Sequence, residues 1–196
     1  MTNTVIYDPI GAAAPPDLTR EAPFRVGILG RLAPWKGQDV FLEAFAPAFP
    51  DDDSEAWVVG AAMFGEDGYA DTLDAQARRL GISDRVEFRG FREDVRAELS
   101  HIHLLVHCSL TPEPFARWWS YGAGVPVIAA DSGGRAEIIT HNVDGMLIPP
   151  GDVAALAATM RRIRGDACVR RSSREASPGA ALLTGEWGIP RALCSR

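Results

Sequence analysis

Six short apolar runs, separated by segments of helical period, constrain this chain more than any other feature. They are FRVGILGR (24–31), AWVVGA (56–61), RVEFRGF (85–91), HLLVHCS (103–109), PVIAAD (126–131) and GMLIPP (145–150). Most are near-continuous in apolar residues and do not alternate with polar ones, as expected of strands buried on both faces. Between them, Val40, Phe41, Ala44, Phe45 and Ala48 fall at helical spacing within 39–49. Residues 71–80 read as a helix stopped by Gly81 in a left-handed cap, 92–99 as a short helix and 135–140 as another. Val153, Leu156, Ala157, Met160 and Ile163 make one apolar face of a last helix over 152–164. Strand and helix alternate with short connections. The fold class is α/β: a doubly wound, Rossmann-like parallel sheet, with ligands at the carboxyl ends of its strands.

Residues 24–164 therefore form one domain. The segment 1–23, which carries GAAAPPDLTREAP, has the composition of a linker. From 165 to 196 no sustained period survives, and the segment reads as an irregular tail. With 46% hydrophobic and 23% charged residues the chain is an ordinary globular one, and its net charge of −6 disfavours a general nucleic-acid binder. Cys108, Cys168 and Cys194 are scattered without zinc-site spacing and read as reduced thiols. No signal peptide is visible, and no apolar run approaches the ~20 residues needed to span a bilayer. A cytoplasmic location with no transmembrane segment is the expectation.

Two stretches carry the chemistry. In GRLAPWKG (30–37), Gly30 permits a tight turn after the first strand, and Arg31 and Lys36 follow it onto the carboxyl edge of the sheet. Two cations beside a helix N-terminus suit a diphosphate, although surface cations on a loop are as a rule simply solvated. In 109–137, Glu113 follows the fourth strand, and the fifth strand runs into Gly133 and Gly134 and then Glu137. A strand ending in glycines before a helix brings backbone N–H groups up to an anionic ligand, with the Glu113 carboxylate facing the same crevice. GILGR lacks the GxGxxG spacing of a dinucleotide site, and no GxxxxGK[ST] sequence is present. Read on residues alone, the site takes a phosphate-containing ligand in an α/β crevice.

These motifs occur in one order with one spacing: GRLAPWKG, RVEFRGF, PEPF, GVPVIAADSGGRAEII and DGMLIPPGDVAALA. Over 24–164 the chain resembles the C-terminal, nucleotide-sugar-binding domain of GT-B fold retaining glycosyltransferases, the glycosyl transferases group 1. The resemblance implies a hexosyltransferase-type enzyme binding a nucleotide-diphosphate sugar. Arg31 and Lys36 match the pair that grips the diphosphate. Glu113 matches the first acid of the family's E-x7-E motif, beside the donor sugar. Phe115 and Ala116 match the loop whose N–H groups approach that sugar, with Ala116 where glycine is usual. Arg89, Gly90 and Phe91 match the region where the base packs. No cofactor or metal is implied, because the cations and helix N-termini stabilise the leaving diphosphate. The resemblance leaves the sugar, base and acceptor open.

The departures from the pattern are as informative. Tyr121 stands where the second acid of the motif, the ribose ligand, belongs, and Trp118–Trp119 replace small aliphatics in a helix about two residues short. Only one of the two GT-B domains is represented, so the linker leads in from a separate N-terminal domain and the chain alone is expected to be inactive. Two alternatives stay open: a degenerate, non-catalytic module that binds a nucleotide or a protein, and a nucleotide-sugar epimerase of the same broad fold. Elsewhere, His101, His103 and His107, alternating along a strand, read as a strand entry with two partly exposed imidazoles rather than as metal ligands, and Asp51 to Asp53 as a solvated loop. Asp131 reads as a turn cap, Glu137 as a cap or an orienter of the glycine loop, and Trp35 as loop packing.

Overall fold

The structure, a computed structural model, describes residues 23–51, 53–63, 65–112, 125–132, 139–143 and 145–166. Its strands are β1 (Arg25–Leu29), β2 (Glu55–Val59), β3 (Val86–Gly90), β4 (Leu104–His107), β5 (Val127–Ala130) and β6 (Met146–Ile148). The helices are α1 (Gln38–Ala48), α2 (Asp67–Arg79), α3 (Val95–Leu99) and α4 (Val153–Gly165). All pairings are parallel, in the order β3-β2-β1-β4-β5-β6. The α/β, doubly wound reading holds. All but Pro23 of the expected linker, the tail from 167 on and residues 135–138 of one expected helix lie outside the described residues.

Both faces of β1, β2, β4 and β5 are buried, which accounts for their unbroken apolar runs, whereas the edge strand β3 leaves Glu87 and Phe88 exposed. On one face Val26, Ile28, Ala56, Val58, Leu104, Val106 and Ile128 pack with Phe41, Phe45 and Leu42 of α1 and Leu156, Met160 and Ile163 of α4. The other face buries Trp57, Val59, Leu105, Val127 and Ala129 with Leu99, Ile102 and Ile139. Gly27 makes this second layer possible, because a Cβ there would sit 2.4 Å from Ile102 Cδ1. The Phe24, Phe45 and Phe49 rings close the bottom of the first layer, with centroids 6.1 and 5.2 Å apart along the chain of contacts through Phe49.

Helix ends follow their caps. Asp152 accepts from Ala155 N–H at 2.9 Å and opens α4, and Asp94 accepts from Ala97 N–H at 3.0 Å and opens α3. The cap at Asp94 starts α3 at Val95, three residues after the sequence reading. Gly81 has φ 71°, the left-handed stop expected of it. The helix before it begins at Asp67, a turn earlier than the sequence implied, despite Gly68. Tertiary contact overrides propensity there: the Tyr69 hydroxyl donates to Asp39 Oδ1 at 3.1 Å and Gln76 donates to the Asp39 carbonyl at 3.0 Å. No helix among the described residues is long and apolar enough to cross a membrane.

Candidate functional site

The chain runs from β1 outward to β2 and β3, then crosses back to β4 on the opposite side of β1. The loops leaving β1 and β4 therefore diverge above the sheet, the point at which open α/β sheets bind ligands. After β1, Gly30 N–H donates to Val59 O at 2.9 Å and Leu32 N–H to Ala61 O at 3.0 Å, so the chain stays flat against the end of β2. A single 3-10 turn over Pro34–Lys36 follows, closed by Gly37 at φ 76°, and α1 starts at once. Gly37 is the seam with β4. A Cβ on it would lie 2.3 Å from the Cys108 carbonyl oxygen, and its own carbonyl accepts from Cys108 Sγ at 3.0 Å. Leu110 N–H adds a bond to the Trp35 carbonyl at 2.8 Å.

That loop brings the two expected cations together. Lys36 is only 8% exposed, its stem lying over Gly30, where a Cβ would be 3.7 Å from Lys36 Cε. Gly30 has φ 148°, a conformation that favours glycine. The Arg31 guanidinium is half-buried, with Nε 3.4 Å from Glu66 Oε2, and its carbonyl accepts from Gln38 Nε2 at 2.8 Å. Trp35 stands against both: Lys36 Nζ is 4.5 Å and Arg31 Cζ 5.5 Å from its ring centroid. The sequence reading left Trp35 as loop packing. The structure corrects that to a cation–π partner of both site cations.

Glycines also end β2 and β3. Gly60 (φ 144°) approaches Gly30 so closely that a Cβ would be 1.9 Å from the Gly30 carbonyl oxygen, and its N–H donates to Gly90 O at 2.9 Å. Gly30, Gly60 and Gly90 thus form a floor without side chains, running from the cations toward Phe91. Phe91 is 68% exposed and Met63, beyond the end of β2, 48%. Gly60 and Glu66 were missed by sequence reasoning. The glycine closing AWVVGA, in the same place as the one closing FRVGILGR, was the available signal for the first; nothing marked the second.

A family model described as glycosyl transferases group 1 matches residues 23–166. The chain belongs to this family. Among curated relatives it is 36% identical over 148 residues to an exopolysaccharide phosphotransferase of Streptomyces coelicolor, covering 74% of this chain and 15% of that protein. It is 30% identical over 120 residues to the lipopolysaccharide core biosynthesis glycosyltransferase LpsD of Rhizobium meliloti, covering 61% and 34%. The chain therefore spans less than half of either relative. Among solved structures, Anabaena HepE in complex with UDP and glucose superposes with a TM-score of 0.77 at 36% identity, over 82% of this chain and 44% of that one. The C-terminal domain of a glycosyl transferase group 1 protein (LpcC) from Francisella tularensis shares the fold, with a TM-score of 0.72 at 22% identity, over 85% and 87%.

The other residues expected of a group 1 glycosyltransferase divide into those placed and those not described. Glu113, Phe115, Ala116, Gly133 and Gly134 lie outside the described residues, as do Trp118, Trp119, Tyr121 and Glu137. Asp131 and Ser132 mark where the loop after β5 leaves the sheet. Arg89 is tied down: Nε lies 2.5 Å from Glu98 Oε2 and Nη1 2.6 Å from Glu87 Oε1, with Cζ 3.8 Å from the Trp57 centroid. The bond to Glu98 raises its pKa further, against the opposing effect of burial. Arg89 thus braces β3 against α3, while Gly90 ends the floor and exposed Phe91 follows it in the chain. Among the described residues no group of three or more His, Cys, Asp or Glu is placed to hold a metal. His103 is buried, accepting from Arg25 N–H at 3.0 Å and stacked on Phe24 at 5.6 Å. His101 precedes β4, exposed on a turn, so the three imidazoles do not share a strand as the sequence reading had it.

Proposed function

We propose that this chain forms the donor side of a retaining glycosyltransferase of hexosyltransferase type, binding a nucleotide-diphosphate sugar. The observation that carries the reading is the pair Arg31 and buried Lys36, side by side where the β1 and β4 loops diverge. A diphosphate presents oxygens to both a planar fork and a point charge, and water is largely excluded around the lysine. In this reading the pair neutralises the leaving nucleoside diphosphate as the bond from the anomeric carbon to the phosphate oxygen breaks. The nucleoside then lies along the Gly30–Gly60–Gly90 floor with its base near Phe91, and Glu113 hydrogen-bonds the sugar hydroxyls. The 36% identity to a protein solved with UDP and glucose supports a nucleotide sugar as ligand. The pair supplies the positive charge a metal would otherwise bring, so chelator should leave binding unchanged. Transfer itself draws on acceptor surfaces beyond the described residues, and the described half is expected to bind donor without turning it over.

Calorimetric titration with UDP, GDP and ADP tests this, alongside an Arg31→Ala plus Lys36→Ala variant. One nucleotide should bind and the variant should lose it. Absence of binding at millimolar ligand by a folded chain would rule the donor site out. A second reading has its own support, since Tyr121 replaces the ribose acid: a module that still binds nucleotide but has lost transfer. A separate N-terminal GT-B domain supplied in trans with acceptor distinguishes the two, because only the first reading predicts that sugar transfer is restored. The kinship with a phosphotransferase adds one more product to monitor. Breaking the phosphorus–oxygen bond between the two phosphates would leave nucleoside monophosphate, whereas glycosyl transfer leaves the diphosphate.

A further inference from the structure

Trp35 stands against both site cations, and its backbone is fixed on either side. Lys36 N–H donates to Ala33 O at 2.9 Å within the 3-10 turn, and Leu110 N–H donates to the Trp35 carbonyl at 2.8 Å from the β4 loop. The backbone that carries the indole is therefore held from both sides, which sets the ring's place on the loop. Separations of 4.5 and 5.5 Å fall within the roughly 6 Å over which an aromatic face attracts a cation. Arg31 in addition lies between this ring and the Glu66 carboxylate, 3.4 Å from its Nε. Two like charges on one short loop repel each other, and an aromatic face shared by both offsets part of that repulsion before a ligand arrives.

We propose that Trp35 is a positioning residue of the donor site, holding Arg31 and Lys36 as a preassembled pair for the anionic bridge of a nucleoside diphosphate. The proposal rests on the donor-site reading above. Nothing about the ring needs to touch the ligand. Its effect reaches the ligand through the geometry of the two cations, and it depends on the π-electron density of the ring rather than on its bulk.

That dependence sets the experiment. UDP, GDP and ADP are titrated into the full chain, into Trp35→Phe and Trp35→Leu, and into the unsubstituted and Trp35→Phe chains grown with ring-fluorinated tryptophan. Fluorination drains the π face with little change of shape, so the folded structure is preserved even where Trp35→Leu is not tolerated. For the nucleotide that binds, affinity should fall about 5- to 30-fold in Trp35→Leu and far less in Trp35→Phe. It should also fall with fluorination of the unsubstituted chain, and not with fluorination of Trp35→Phe, in which only the remaining tryptophans carry the label. Wild-type affinity in Trp35→Leu, or indifference to fluorination, overturns the positioning role and leaves the donor site standing. Failure of the unsubstituted chain to bind any of the three nucleotides, or binding that survives loss of both cations, overturns the donor reading and the proposal with it.

Discussion

Lys36 is a cation almost removed from water, and at such a position function and stability pull apart. Burying an ammonium costs free energy that an apolar isostere would not, so Lys36→Met should leave unfolding by urea unchanged or shifted to higher concentration. On the donor-site proposal the same substitution removes a charged contact to the diphosphate, and nucleotide affinity should fall about 10- to 150-fold by titration. Equal losses of stability and affinity would argue that Lys36 serves the fold alone. Tyr69 shows a different residue-scale effect. Burial, and then the nearby Asp39 carboxylate, push its phenol pKa well above the ordinary value. Above pH ~10 the unfolded chain releases this proton and the native chain keeps it, so stability falls as pH rises, by up to ~1.4 kcal/mol per unit until the folded phenol titrates. In Tyr69→Phe that share of the alkaline slope should vanish from urea melts run across pH 9 to 11. The two cations were legible in GRLAPWKG because a glycine-bounded strand end puts whatever follows onto the ligand edge. Trp35 and Glu66 were not, since their roles depend on where a ring and a distant carboxylate arrive in space.

The helices α1 and α4 carry the first core layer between them, with Phe41, Phe45 and Leu42 facing Leu156, Met160 and Ile163. Phe45 is fully buried and contacts the Phe41 and Phe49 rings at 6.3 and 5.2 Å. Phe45→Ala should cost about 3–5 kcal/mol in urea unfolding, enough to consume a large part of a domain's stability. A cost below ~1 kcal/mol would mean that α1 is not held by this layer. Existence and type of these elements were plain from the 3.6-residue period and the unbroken apolar runs. Starts were less so: α2 begins at Asp67 because Tyr69 and Gln76 are hydrogen-bonded to Asp39, residues far apart in sequence. Similarly, Arg89 reads from its RGF context as part of a nucleotide edge, yet Glu87, Glu98 and Trp57 claim its guanidinium. An edge strand's outward charges find partners that a one-dimensional pattern does not reveal.

At the scale of the molecule, the strand order puts the site where two halves of the sheet separate, and the Gly37–Cys108 seam closes them beneath it. A ligand bound there engages only the native arrangement of β1 and β4. Nucleotide at ~100 times its dissociation constant should then add ~2.7 kcal/mol and raise the melting temperature of the whole unit in one transition. A separate ligand-dependent step would show that the two halves melt independently. The overall architecture was legible because each strand–helix unit announces itself, and the parallel sheet leaves few ways to connect them.

The thiol at that seam has a spectroscopic use. Cys108 is 1% exposed, and its S–H points at the Gly37 carbonyl from 3.0 Å. A hydrogen-bonded thiol absorbs in an infrared window where protein backbone and water are nearly silent, and its frequency follows the strength of the bond it donates. Identified by difference against Cys108→Ser, that vibration makes the junction of the two loops its own reporter, able to register a tightening of this bond when a nucleotide docks, with no dye attached.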